Sequence, residues 1–123
     1  MKNFDIGKDI IALLSADTDV TSALGTKIFP LIAPAKTTFP FMVYRRYYYT
    51  PANNKDWENE KVGVEFAIAS VKYEEGVKIA DAVADALQHQ KTDNIEDINV
   101  TNTNEDFYDD TFVQRINIEV EMK

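Results

Sequence analysis

Cysteine is absent from this 123-residue chain, which removes disulfides, thiolate nucleophiles and Cys-ligated zinc together. Histidine is nearly absent: His89 stands alone, with no nucleophile near it in sequence. A lone histidine near the end of a helix suits the negative end of the helix dipole, and it reads as a surface residue. Basic residues are in deficit, 13 against 21 acids, giving a net charge of -8. Such a balance repels nucleic-acid backbones and anionic lipid surfaces, so a DNA, RNA or membrane partner is not expected. No apolar run approaches the length that crosses a bilayer. The first residues, MKNFDIGKDIIALLSAD, have no secretory apolar core, because Asp5, Lys8 and Asp9 interrupt it. A cytosolic protein, or one assembled in a cytosol, is the plain expectation. No phosphate-cradling glycine loop, metal-ligand cluster or catalytic constellation can be picked out, so no cofactor is expected.

What is present is an ordinary globular composition, 45% hydrophobic, in a length that fits one domain over residues 1–123. Phe4 to Ser15 carries Ile6, Ile10, Leu13 and Leu14 at helical spacing. Asp17 or Thr18 can cap a second short helix bearing Val20 and Leu24, with Gly25 at its end. Lys27 to Ile32 reads as a strand stopped by Pro34. PFMVYRRYYYT, Pro40 to Thr50, is aromatic and β-branched throughout and reads as a second strand. Simple alternation sends Phe41, Val43, Arg45, Tyr47 and Tyr49 to one face and Met42, Tyr44, Arg46 and Tyr48 to the other. Both faces then need cover. After a polar turn with the single Trp57, Glu60 to Val71 alternates as a third strand. Lys72 to Gln90 is the main helix, with Tyr73, Val77, Ala80, Val83, Ala84 and Leu87 as its apolar stripe. Asp93 to Asp110 is polar and acidic, with room for a short strand at Ile98 and Val100. Thr111 to Glu121 closes the chain as a strand with Phe112, Ile116, Ile118 and Val120 facing in.

This order predicts an α+β fold. It has an antiparallel or mixed β-sheet of about four strands, one long helix packed on a face, and helices at the N-terminus.

Three groups of residues invite a functional reading. The acids Asp93, Glu96, Asp97, Glu105, Asp106, Asp109 and Asp110 lack the alternating spacing and the glycine of a calcium loop, and they read as a solvated acidic loop. A ligand or hydrolase site near Trp57 and this segment is the enzymatic alternative. Arg45 and Arg46 sit in the most apolar strand. One is expected to stack on Tyr44 or Tyr48 and pair with an acid, or to bridge subunits. The tyrosines Tyr47 to Tyr49 could stack bases, but the net charge opposes that. Aromatics on a second strand face more often mark a core or an oligomer interface.

VTSALGTKIFPLIAPAKTTFPFMVY, Val20 to Tyr44, leads from a helix end through a strand and an Ala-Pro loop into a second strand. PFMVYRR follows that loop. VKYEEGVKIADAVADAL supplies a helix after a strand, and NEDFYDDTFVQRINIEV supplies the closing strand. Taken in this order, the chain resembles the tail-completion, or tail-terminator, proteins of long-tailed bacteriophages and prophages. The resemblance implies a non-enzymatic virion protein that caps the tail tube, ends its elongation and joins the tail to the head connector, with another neck or minor tail component of similar fold as the alternative. It implies partnership with copies of itself in a ring, expected to be hexameric, and with the tail tube and head-tail connector proteins. It also implies a place in the virion neck after assembly in the host cytoplasm. A ring needs two different complementary patches on each copy. The excess of large side chains on one face of the second strand makes Met42, Tyr44, Arg46 and Tyr48, with Trp57 in the following loop, the expected interface.

Overall fold

The computed structural model describes residues 4–52 and 59–123. Its elements follow in the order α1 (Gly7–Ser15), α2 (Thr18–Leu24), β1 (Ile28–Pro30), β2 (Phe41–Thr50), β3 (Lys61–Ser70), α3 (Tyr73–Leu87), β4 (Ile95–Tyr108) and β5 (Thr111–Met122). The strands make one sheet of five, in the order β1-β2-β3-β5-β4. Only the short β1 runs parallel to its neighbour; the other three pairings are antiparallel. The fold is thus α+β with a mixed sheet, as expected, but with five strands rather than four.

Helices cover one face of the sheet. Val62, Val64, Phe66 and Ile68 of β3 alternate onto that face, level with Val120, Ile118, Ile116 and Gln114 of β5. All four β3 residues are buried, and so are Ile10 and Leu14 of α1, Val20 and Leu24 of α2, and Ile79, Val83 and Leu87 of α3. Together they form one core cluster. The turn between α1 and α2 is tight because Asp17 serves both ends: its N–H reaches Leu14 O, and its Oδ1 accepts from Val20 N at 3.0 Å. That is the expected N-cap, and it satisfies one donor that the first turn leaves free. Gly25, at φ 60°, then lets the chain turn sharply into β1.

The stripe on α3 differs from the periodicity reading. Gly76, Ile79, Val83 and Leu87 are the buried residues, while Tyr73 and Val77 are exposed. Gly76 replaces Val77 at the sheet because the helix starts directly above Ser70. A Cβ on Gly76 would stand 2.8 Å from Ser70 Oγ. Ser70 is fully buried and donates to Lys72 O at 2.8 Å, tying the end of β3 to the first turn of α3.

The acidic segment is the larger departure. It is not a loop: Ile95 to Tyr108 is a strand of 14 residues paired along β5. Ile95 and Ile98 are buried and anchor its first half. Gln88 and His89, just past α3, fasten it from the side. Val100 N donates to Gln88 Oε1 at 2.7 Å, and His89 N donates to Ile98 O at 2.8 Å. Asparagine and aspartate disfavour strands on their own, but an edge strand that mainly supplies backbone hydrogen bonds tolerates them. Because Phe66 is fully buried at the centre of the covered face, Phe66→Ala should cost about 3–5 kcal/mol of stability in a denaturant titration.

Candidate assembly interface

The expected interface residues sit on β2, where the pairing with β3 shifts. Phe41 to Arg46 pair in step with Ala69 to Val64; then Tyr48 pairs with Gly63 and Tyr49 with Val62. Tyr47 is the extra residue of a β-bulge, and the bulge swaps the faces for everything beyond it. Met42, Tyr44 and Arg46 point to the helix side, and Tyr48 points to the open side. Tyr49, not Tyr48, rejoins the helix side, where its ring meets Phe4 edge-on at 5.1 Å. The expectation that Met42, Tyr44, Arg46 and Tyr48 share one face is therefore corrected. Nothing in YRRYYY marks the bulge, since it contains neither glycine nor proline. The only hint is across the ladder, at Gly63.

Each residue has a different environment. Met42 is fully buried in the core, beside Ile28 of β1, and presents nothing to a partner. Tyr44 is half-buried between Phe66, 6.5 Å away, and Gly7, where an added Cβ would stand 2.8 Å from the tyrosine Oη. Arg46 is exposed. Its guanidinium lies 4.0 Å over the Phe4 ring and donates to Phe4 O at 3.3 Å. It thus stacks on Phe4, not on Tyr44 or Tyr48. Arg45, on the open face, takes the pairing role, with Nε 3.0 Å from Glu65 Oε1. Trp57 lies outside the described residues.

Tyr48 lies flat on Gly63, occupying the space a side chain would fill, and donates to Glu119 Oε2 at 2.5 Å. Partial burial pushes its phenol well above the ordinary tyrosine range, and the hydrogen bond to Glu119 and that carboxylate's charge push the same way.

Two surfaces result. Phe4, Ile6, Gly7, Pro30, Leu31, Tyr44, Arg45 and Arg46 line a groove of about 430 Å³ beside α1. The open face of the sheet carries Phe41, Val43, Ala67, Ala69 and Val113 at one end, forming a shallow apolar groove of about 240 Å³ with Phe39 and Tyr108 at its rim. Towards the other end it is polar, with Arg45–Glu65, Arg115–Asp106 and Tyr48–Glu119 pairs. Sequence reasoning missed the apolar end because Val113 falls on the polar side of the β5 alternation, yet it is buried.

The remaining candidates have local partners. His89 is exposed, as expected, with Nδ1 3.2 Å from Asp97 Oδ1. Glu105 accepts from Gln114 Nε2 and Tyr73 Oη, each at 2.8 Å. Among the described residues, no group of three or more His, Cys, Asp or Glu side chains could hold a metal ion. No helix among the described residues is long and apolar enough to cross a membrane.

Comparison with known proteins decides the family. The model of the tail completion protein gp17 family matches residues 8–122. The chain belongs to that family. It is therefore a bacteriophage-type structural protein, a tail-completion protein by lineage. No curated protein matches the chain. Among solved structures, a chain from the virion of a native gene transfer agent particle is similar, with a TM-score of 0.72 at 12% identity. The match covers 92% of this chain and 90% of that one, and at this identity it is a likeness of fold.

Two measurements check this geometry. Gly63→Ala should lift the Tyr48 ring off the sheet, break its bond to Glu119 and cost about 1–3 kcal/mol in thermal or denaturant unfolding. Glu105 is held below the usual glutamate range, first by Gln114 and then by Tyr73. Folding therefore favours its ionised form. That contribution is complete above the ordinary carboxylate range and is lost as pH falls through Glu105's own lowered value. Tyr73→Phe should move the Glu105 titration back towards the ordinary value, read by carboxyl NMR.

Proposed function

We propose that this tail-completion protein caps the end of the tail tube, stops its elongation and joins it to the head connector as a closed ring of identical copies. The observation that carries this reading is the family match, which runs from α1 to the last residue of β5 and so takes in every element of the sheet. The chemistry of the surface supports it. No cofactor or catalytic role is proposed, and most of the large exposed side chains, Leu31, Ile32, Phe39, Phe107 and Tyr108 among them, lie on edge strands and loops, where a neighbouring protein rather than a small molecule would meet them.

The ring contact is proposed to include the groove beside α1. Tyr44 forms its floor and Arg46 its exposed rim, while Tyr48 fixes the bulge from the opposite face. Met42 takes part only by packing beneath, and Trp57, in the segment between β2 and β3, is proposed to join it. The acidic surface suits a neck protein past which DNA must slide without sticking.

The test is genetic and microscopic. A phage or prophage lacking this gene should make tails of abnormal length that stay unjoined to filled heads. Complementation with the wild-type chain should restore joined tails of uniform length, and Arg46→Glu, which leaves the core untouched, should not. Tails of normal length, joined to heads in the deletion strain, would overturn the reading.

A further inference from the structure

The two outer edges of the sheet carry opposite charge. From Lys27 to Thr50, which spans β1, the following loop and β2, the chain has Lys27, Lys36, Arg45 and Arg46 and not one acid. From Asp93 to Asp110, which spans β4, it has seven acids (Asp93, Glu96, Asp97, Glu105, Asp106, Asp109 and Asp110) and not one base. The strand order puts β1 and β2 at one side of the sheet and β4 at the other. Arg45 is paired with Glu65 and Asp106 with Arg115, so Lys27, Lys36 and Arg46 carry the basic character of the first edge in a chain with net charge -8.

Among the described residues, both edges also lack a strand partner on their outer side. On its outer side β1 covers only Met42 to Tyr44 of β2, so among the described residues Arg45 to Thr50 has no strand neighbour there. β4 pairs with β5 alone and is exposed at every residue from Thr101 to Tyr108. Each edge adds large apolar side chains in the open: Leu31 and Ile32, 71% and 77% exposed, on the basic side, and Phe107 and Tyr108 on the acidic side. At the acidic tip Asp109 and Asp110 both hold positive φ, 51° and 58°. Asn-Gly or Asp-Gly would suit that turn better, so the second carboxylate is kept against local preference.

A charged edge by itself only prevents strands of like sign from pairing. A second edge of the opposite sign changes the outcome. Two copies meeting basic to basic or acidic to acidic repel, and two meeting basic to acidic attract. We infer that the basic β1–β2 edge of one copy docks on the acidic β4 edge of the next, so that copies join side by side in a single direction. Such a contact uses two different patches, so it does not stop at a two-fold dimer and closes into a ring where the rotation between copies closes. This inference rests on the proposed ring and names its occupant: a second copy of this chain, presenting Phe107, Tyr108 and the aspartate tip.

Charge reversal tests it in the full chain, with sedimentation velocity as the readout. Lys36→Glu with Arg46→Glu cancels the net positive charge of the basic edge; Asp109→Lys with Asp110→Lys reverses the sign of the acidic tip. Neither variant alone should form the closed oligomer of the wild type, and an equal mixture should restore it. Asp109→Asn with Asp110→Gly removes the tip charge while favouring the turn, so the fold is kept, and association should weaken by about tenfold at low salt. If that variant associates as the wild type does, or if mixing the two reversed variants restores nothing, edge-to-edge docking is overturned and the ring reading stands. A wild-type chain that stays monomeric with and without tail tubes overturns the ring itself, and the docking with it.

Discussion

The structure depends on one row of side chains, Val62, Val64, Phe66 and Ile68 of β3. β3 is the central strand and is hydrogen-bonded on both sides, so its register with β2 and with β5 sets the position of every other strand. Its covered face must be kept dry, and α1, α2 and α3 all pack there. The same requirement leaves the opposite face to small or paired side chains: Gly63 under the Tyr48 ring, Glu65 beside Arg45, and the alanines Ala67 and Ala69. Alternation along ten residues thus divides the molecule into a packed half and an open half.

Most of this was legible in the sequence. Helix and strand positions in the first half of the chain follow from periodicity and from the Asp17 cap, and the inward set Ile116, Ile118 and Val120 of β5 follows from strict alternation. The failures have physical causes. On α3 the tight approach of Gly76 to Ser70 rotates the helix, so that Ile79 is buried and Tyr73 and Val77 are not. A residue without a side chain carries no signal in a hydrophobic pattern, yet it decides which face comes closest. β4 was hidden because asparagine and aspartate carry little strand preference, and its partner β5 supplies the template.

The candidate site was less legible than the fold. The side chains singled out on β2 are the right chemistry in the wrong arrangement, because the bulge at Tyr47 reverses the faces beyond Arg46. One inserted residue is invisible to a rule of period two and overturns it completely. The two groups of charge were visible in the sequence as runs. Their meaning is not, since only the strand order β1-β2-β3-β5-β4 sends them to opposite sides. Family membership supplies the biological setting, and the structure supplies the surfaces on which it can operate.

Charge separated across the width of the sheet gives each molecule an electric dipole lying in the plane of its strands. Arranged tangentially around a closed circle, such dipoles add to zero. The finished circle then has no net moment to orient it or to recruit further copies in line. What remains is the uncancelled charge of -8 on each copy, which grows in proportion to the number of copies. In the proposed ring, assembly would thereby convert a molecule that attracts its own kind from one side into a body that repels its own kind from all sides.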